Sequence, residues 1–368
     1  MLTTDHEAPV ASGLNGVKVN LGVETMSIVE TVANSSGPLV APRYGSWQEA
    51  VKDAVRDPVE LCRLVGLSAR YASQAALAAG DFPVFAPRGY IARMRPGDER
   101  DPLLLQVLPL EEELAAHEGF GPDPVGDLAA AKSPGLLHKY RSRVLMVTTP
   151  ACAVHCRYCF RRHFPYSEGP RSLDQRSQAL RRIEADSTLR EVILSGGDPL
   201  MLVDEHLAEL VEGLARIDHL RRLRIHTRLP VMIPQRVTGE LLALLRSTRL
   251  VPIVVIHANH ARELDGSVAD CLASLSDAGI PLLNQSVLLA GINDDIETLA
   301  ELSERLVDLR VMPYYLHQLD RVTGAAHFEV SEARGRRLVE QLRSRLSGYA
   351  VPRYVRETAG ASSKSILA

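Results

Sequence analysis

The chain has few cysteines, no long apolar run and almost no net charge, and each of these absences excludes a class of protein. Five cysteines among 368 residues do not suit a dense disulfide framework. No apolar stretch reaches the roughly eighteen residues of a membrane span, and the first thirty residues lack a secretory pattern. A net charge of -3 gives no general reason to expect nucleic acid or an anionic membrane as a partner. Because 46% of the residues are hydrophobic, we expect a globular, cytoplasmic protein with a sizeable core.

Three of the five cysteines lie within eight residues, Cys152-Ala-Val-His-Cys156-Arg-Tyr-Cys159. An odd number of thiols cannot pair internally, which favours a metal. Zinc sites usually combine two cysteine pairs, whereas Cys62 and Cys271 stand alone. An iron-sulfur cluster that takes four ligands would keep one iron open, and an open iron indicates chemistry rather than electron storage. The alternative is three buried, inert thiols.

The sequence before residue 141 predicts two different parts. Residues 1–45 mix Ser, Gly, Asn and Pro without a lasting period, which predicts disorder, and Met26 could be the true start. Residues 46–140 predict a helical region. Ser46 and Asp57 each precede a glutamate by three residues, as helix caps do, and a further helix is expected over 68–79 before Gly80.

From residue 141 to 325, short apolar runs alternate with amphipathic segments such as 205–217 and 296–309. This alternation is typical of a parallel sheet wrapped by helices. We therefore predict an α/β fold, a partial (βα)6 barrel of the TIM type, followed by a C-terminal segment over 326–368. The six predicted strands are 144–149, 191–194, 222–226, 252–257, 281–287 and 310–316.

Polar residues follow each predicted strand, where barrels of this kind place their chemistry. Taken singly, each group has an ordinary structural explanation as a turn glycine, a core histidine or a helix cap. Their presence at every strand end favours a functional site. The segments are the cysteine loop (residues 150–166), Ser195-Gly196-Gly197-Asp198, His226-Thr-Arg228, His257-Ala-Asn-His260, Asn284-Gln285-Ser286 and residues 314–320.

The cysteine spacing C-x3-C-x2-C after the first strand resembles the radical S-adenosylmethionine superfamily. Longer motifs narrow the resemblance to the lysine 2,3-aminomutase family, and within it to the branch that makes (R)-β-lysine for elongation factor P. The resemblance extends from about residue 47 to 364. Its motifs are residues 152–166, Ser195-Gly-Gly-Asp-Pro-Leu, Asn284-Gln-Ser-Val-Leu-Leu and Met312-Pro-Tyr-Tyr-Leu-His.

The resemblance implies an isomerase with three cofactors. A [4Fe-4S] cluster on Cys152, Cys156 and Cys159 would bind S-adenosyl-L-methionine and cleave it to a 5'-deoxyadenosyl radical. Pyridoxal 5'-phosphate would be held by Lys364 as the catalytic lysine, although the usual glycine run before it is here Ala359-Gly-Ala-Ser-Ser363. The resemblance also implies cosubstrate contacts from Ser195, Gly196, Gly197, Asp198, His257 and Gln285, and pyridoxal phosphate contacts from Tyr140 and Arg143, with Lys139 in place of a frequent arginine.

For the substrate, the resemblance assigns Arg161 to the carboxylate and Asp320 and Glu357 to the side-chain ammonium. Two carboxylates in a pocket closed to water favour lysine and repel glutamate. The structural alternative is that Arg161 is one more cation in a basic loop and that Asp320 is a helix cap.

Three departures bear on the branch and the assembly. Asp295 stands where the free-lysine enzymes carry a cysteine for an inter-subunit zinc, His317 replaces a frequent tyrosine, and the chain stops at Ala368. We expect no structural zinc and a small homo-oligomer. The implied partners are an electron donor such as flavodoxin or ferredoxin and an elongation factor P lysine ligase. Two alternatives stay open, a free-lysine 2,3-aminomutase that makes β-lysine as a metabolite, and a non-catalytic iron-sulfur protein.

Overall fold

A ten-stranded sheet organises the residues that the computed structural model describes, 39–80, 82–166 and 173–368. The predicted disorder of residues 1–45 lies almost entirely outside these ranges. The strands follow one another across the sheet in chain order: β1 Ala131–Ser133, β2 Leu136–Tyr140, β3 Arg143–Thr149, β4 Glu191–Gly196, β5 Arg222–Thr227, β6 Val251–Ile256, β7 Leu282–Val287, β8 Met312–His317, β9 Arg353–Arg356 and β10 Ser365–Ile366.

Strands β3 to β9 are parallel, and antiparallel strands border them on both sides. The six predicted strands are β3 to β8, and the prediction of an α/β barrel-type fold is confirmed. Strands β1 and β2 lie in the region that we expected to be helical. The C-terminal segment also supplies β9, which adds a seventh parallel strand to the predicted six. These short strands were missed because their partners across the sheet, not their own sequences, fix them.

Helices connect the parallel strands and cover the sheet. Their bounds are α1 Trp47–Lys52, α2 Pro58–Leu64, α3 Ala69–Ala79, α4 Arg88–Ile91, α5 Asp127–Ala130, α6 Leu173–Ala185, α7 Asp204–Ala215, α8 Leu229–Met232, α9 Gly239–Ser247, α10 Gly266–Asp277, α11 Ile296–Asp308 and α12 Glu332–Arg345. None of the described helices is long and apolar enough to cross a membrane.

Local sequence signals begin several of these helices where we predicted. The Ser46 hydroxyl accepts a hydrogen bond from the Glu49 amide at 3.3 Å, and the Asp57 carboxylate accepts one from Val59 at 2.9 Å. Asp295 caps α11 by accepting from the Thr298 amide at 2.9 Å. The acid at position 295 therefore has a structural task of its own.

The parallel register brings the carboxyl ends of β3 to β8 to one edge of the sheet. Every residue of β4 is buried, and the inward side chains of its neighbours form the core around it. The loops that follow these strands therefore lie together at one edge of the buried apolar core. This edge is where the predicted polar segments lie.

Candidate active site

A cavity of about 540 Å³ opens at this edge, a size that suits small-molecule ligands. The structure brings all the predicted site residues to its wall. They are Tyr140, Arg143, Cys152, Cys156, Cys159, Arg161, Ser195, Gly196, Gly197, Asp198, His257, Gln285, Asp320, Glu357 and Lys364. Residues from the N-terminal region, the sheet and the C-terminal segment thus share one site.

The glycine pair after β4 lies against the start of the cysteine loop. The amides of Gly197 and Asp198 donate to the carbonyls of Thr149 and Ala151 at 2.8 and 2.7 Å. A Cβ on Gly197 would lie 2.2 Å from the Ala151 carbonyl oxygen, and Gly196 has a φ of +125°. Only glycine permits this close approach, so the motif positions the cysteine loop.

The Asp198 carboxylate is held by hydrogen bonds from the protein itself. It accepts four hydrogen bonds, from the amides of Leu200, Arg228 and Leu229 and from the Thr227 hydroxyl, at 2.7 to 3.0 Å. Burial raises its pKa, and these hydrogen bonds oppose that rise. The carboxylate therefore joins the loop after β4 to the loop after β5. Its direct contact with a cosubstrate stays a prediction.

The three cysteine thiols line the cavity in a partly buried loop. Burial, followed by the charge of the neighbouring Cys156 sulfur, raises the pKa of Cys159 to about 11. Burial likewise raises the pKa of Cys152, as do the two other thiols. A cationic iron cluster would relieve this mutual repulsion between thiolates. Within the described ranges no three His, Cys, Asp or Glu converge as a single metal ion requires. A cluster fits better, because each cysteine then binds a different iron.

A carboxylate from the N-terminal region anchors the cysteine loop. Glu113 accepts hydrogen bonds from Arg157 at 2.6 and 2.8 Å and from Arg162 at 2.9 Å, and all three side chains are buried. Sequence analysis missed Glu113, because it is one of three consecutive glutamates in a short helical turn. The helical region thus holds the loop in place.

A chain of alternating charges runs along one wall of the cavity. Arg161 donates to Asp127 at 2.7 Å, and Lys139 pairs with the same carboxylate at 2.6 Å. Lys139 also pairs with Glu357 at 3.0 Å, and Glu357 pairs with Lys364. The chain therefore contains three cations and two anions. Asp127 was not predicted, since nothing in its short helix distinguishes it from a surface acid.

These ion pairs determine the ionisation of the two anions. Burial by itself would raise the pKa of Glu357, but Lys364 and Lys139 lower it to about 2. The pKa of Asp127 is lowered for the same reason, with Arg161 and Lys139 outweighing burial. Both carboxylates are therefore charged near neutral pH. Their negative charges compensate the adjacent cations and hold them by ion pairs.

Asp320 differs from the other acids of the cavity. Its carboxylate accepts no hydrogen bond and forms no ion pair within the described part of the chain. Burial, reinforced by the negative charge of Glu357, raises its pKa to about 7 although Lys364 opposes the rise. A half-buried acid without a partner among the described residues is costly. Asp320 is consequently suited to receive a cationic group of a ligand.

Tyr140 and Arg143, the two predicted pyridoxal phosphate contacts, lie together in the cavity wall. The Arg143 guanidinium lies 4.4 Å from the centre of the Tyr140 ring. Among the described residues Arg143 has no acidic partner within 4.0 Å. Burial, followed by the charge of Glu357, raises the pKa of Tyr140, which therefore stays a hydrogen-bond donor. A free guanidinium beside a phenol can bind a phosphate.

Neutral histidines form another part of the wall. Burial, with a smaller contribution from Arg228, lowers the pKa of His257 to about 3. Its Nε2 accepts a hydrogen bond from the Gln285 amide at 2.6 Å. His226 and His317 also line the cavity, and burial lowers the pKa of each. The sequence marked these two as polar strand ends without giving them a role.

Comparisons of the amino-acid sequence with known proteins identify the family. The Radical SAM superfamily model matches residues 146–303. L-lysine 2,3-aminomutases from Haemophilus influenzae and Escherichia coli are 45% and 44% identical, over 88% and 89% of this chain and 96% of each relative. The L-lysine 2,3-aminomutase of Clostridium subterminale is 33% identical over 88% of this chain and 77% of its own length. The chain therefore belongs to the lysine 2,3-aminomutase family, within the radical SAM superfamily, and is an isomerase.

Proposed function

We propose that this protein converts L-α-lysine to (R)-β-lysine, and that the product serves the modification of elongation factor P. The observation that carries the proposal is the unpartnered Asp320 carboxylate, which shares one cavity with the cysteine loop, Arg161 and Lys364. Lysine is the common amino acid whose flexible side chain ends in a primary ammonium. The relatives named above are lysine aminomutases.

Family membership implies three cofactors, the [4Fe-4S] cluster, S-adenosyl-L-methionine and pyridoxal 5'-phosphate. When bound, they supply the radical that removes a hydrogen and the π-system that carries the migrating amino group. Cys152, Cys156 and Cys159 would hold the cluster, and Lys364 with Arg143 would hold the pyridoxal phosphate. The fit rests on the three cysteine sulfurs that one loop brings to the cavity, and on the Arg143 guanidinium, which has no acidic partner within 4.0 Å among the described residues.

The chain's own residues bind and orient the substrate. Arg161 donates through Nε to Asp127 and through Nη1 to the Ser195 hydroxyl at 3.2 Å. Its Nη2 makes no hydrogen bond to the described residues, so a substrate carboxylate can accept from it. Asp320 would receive the ammonium at the other end of the substrate. The opposite charges of Arg161 and Asp320 would then determine which carbon of the substrate faces the radical.

Glu357 lines the cavity beside two lysines, and its contact with the substrate ammonium stays a prediction. It is already shared by Lys139 and Lys364. We infer that Asp320 supplies most of the attraction for the substrate ammonium, whereas Glu357 maintains the positions of the two lysines.

The elongation factor P branch is supported by similarity. The chain is 45% and 44% identical to the relatives from Haemophilus influenzae and Escherichia coli but 33% identical to the one from Clostridium subterminale. The partners that we propose are a small electron donor, flavodoxin or ferredoxin, and an elongation factor P lysine ligase, all in the cytoplasm. A homo-oligomer smaller than that of the free-lysine enzymes completes this proposal.

The test is conversion of labelled L-lysine by anaerobically reconstituted protein with both organic cofactors and dithionite, followed by chiral analysis. We expect (R)-β-lysine, and we expect Cys156→Ala to abolish it while Cys271→Ala, a buried thiol outside the cavity, retains it. Unchanged lysine despite an intact cluster would contradict the activity. An S product would contradict the branch, as would failure of a lysine ligase to transfer the product to elongation factor P.

A further inference from the structure

One buried guanidinium touches a cysteine of the loop. Arg228 follows β5, and its Nη1 donates a hydrogen bond to the Cys156 sulfur at 2.7 Å. Its backbone amide is fixed as well, because it donates to the Asp198 carboxylate at 2.7 Å. The side chain is only 6% exposed. A cation is thus held against one predicted cluster ligand, away from bulk water.

The Nη2 nitrogen of the guanidinium is held by groups outside the cysteine loop. Nη2 donates to Gln106 at 2.6 Å and to Glu263 at 2.8 Å. The rings of Tyr90 and Tyr158 lie 5.9 and 5.7 Å from the guanidinium carbon. With contacts on so many sides, Arg228 cannot turn away from the sulfur.

The acid that pairs with Arg228 is itself rigidly placed. Glu263 is fully buried and accepts hydrogen bonds from the amides of Asn259 and His260 at 2.8 and 3.1 Å, and from Gln106 at 3.2 Å. It approaches Nη2, whereas the sulfur faces Nη1. Nη1 is therefore aimed at Cys156, and Nη2 anchors the guanidinium to Gln106 and Glu263.

We propose that Arg228 is a positioning residue for the iron-sulfur cluster, which sets the direction of the Cys156 sulfur and raises the reduction potential of the cluster. Hydrogen bonds to cluster sulfurs are among the factors that set such potentials. On reduction the cluster gains one electron from the external reductant, and its charge becomes more negative. A donor and a cation beside the sulfur stabilise that reduced form, while no bond of Arg228 forms or breaks.

The test is a redox titration of reconstituted full-length protein, followed by electron paramagnetic resonance. For Arg228→Met we expect a more negative potential, so that the ratio of reduced to oxidised cluster at a fixed potential falls about tenfold. Arg228→Lys should fall in between, because it keeps the charge but not the planar fork. An intact cluster whose potential is unchanged in Arg228→Met would overturn the proposal.

Two further variants distinguish an effect on the reduction potential of the cluster from a general loss of stability. Arg262→Met also leaves a fully buried acid, Asp101, without its ion pair, but Arg262 makes no contact with a cysteine among the described residues, so its potential should stay that of the wild type. The double variant Arg228→Met with Glu263→Gln removes the unpaired acid and should still show the negative shift. A wild-type potential in the double variant would also overturn the proposal.

This inference rests on the proposed cysteine-bound cluster, and the titration distinguishes the two. Failure of the wild-type chain to take up iron and sulfide would refute the cluster itself. Normal cluster content with equal potentials in all variants would refute only the role of Arg228.

Discussion

Replacing Asp320 by asparagine should stabilise the protein at alkaline pH while it removes lysine binding. The carboxylate lacks a partner in the described part of the chain, and burial raises its pKa from an ordinary 3.8 to about 7. Between these two values the folded chain holds a proton that the unfolded chain has released. The free energy of unfolding therefore falls as the pH rises through this window.

The expected change in stability follows from the difference between the two pKa values of Asp320. At ~1.4 kcal/mol per pH unit, Asp320 lowers the free energy of unfolding by up to about 4 kcal/mol at pH 8, where its carboxylate is ionised. At pH 5, where the folded chain keeps the proton, the decrease is about 2 kcal/mol. Water in the cavity screens part of this cost. For Asp320→Asn we expect a gain of about 2 to 4 kcal/mol at pH 8, and about half of that at pH 5.

Denaturant unfolding of the full chain without pyridoxal phosphate, at both pH values, measures this gain. The control is Asp218→Asn, an exposed acid at which the change should stay within ~0.5 kcal/mol. An Asp320→Asn variant that is less stable than the wild type at pH 8 would show that the carboxylate has a partner, and the reasoning would fail.

Lysine binding should change in the opposite direction. Calorimetry with cluster-containing, pyridoxal-loaded protein and no S-adenosyl-L-methionine should show a Kd for lysine at least ~30-fold higher in Asp320→Asn. In the wild type the affinity should fall by up to about tenfold per pH unit below pH 7, because a protonated Asp320 no longer attracts an ammonium. Equal affinities at pH 6 and pH 8 would refute this role.

Three further variants test other parts of the cavity. Lys364→Ala should lose the visible absorbance of bound pyridoxal phosphate, while Lys132→Ala on the surface keeps it. Gly197→Ala should lose cluster iron, because its Cβ would collide with the backbone of the cysteine loop, whereas Gly239→Ala, where a Cβ meets nothing within 4 Å, should bind normal iron. Asp127→Asn should lower stability by about 3 kcal/mol and raise the KM for lysine, because the buried Arg161 loses its ion-pair partner and Lys139 keeps only Glu357. A normal KM in that variant would contradict its role in substrate binding.

The polar residues of the sheet edge show what a linear pattern can and cannot reveal. Ser195 and His257 each stand at the end of an apolar run, so their place at one edge follows from the parallel sheet alone. Glu113 and Asp127 both precede the first strand, so neither marks a strand end. Their arginine partners are 34 to 49 residues away, and Lys139, the other partner of Asp127, lies on a separate strand. These pairings leave no local pattern in the sequence.

The sequence by itself determined the parallel strands, the capped helices and the spacing of the three cysteines, because periodicity and caps act within a few residues along the chain. The tertiary structure alone decided which charges are neutralised. It placed Asp127 between two cations, paired Glu357 with two lysines and directed Arg228 at a sulfur. It also left Asp320 without a partner among the residues that the structure describes. These differences arise from burial and from contacts across the fold, where the cost of an unpaired charge depends on its neighbours in space.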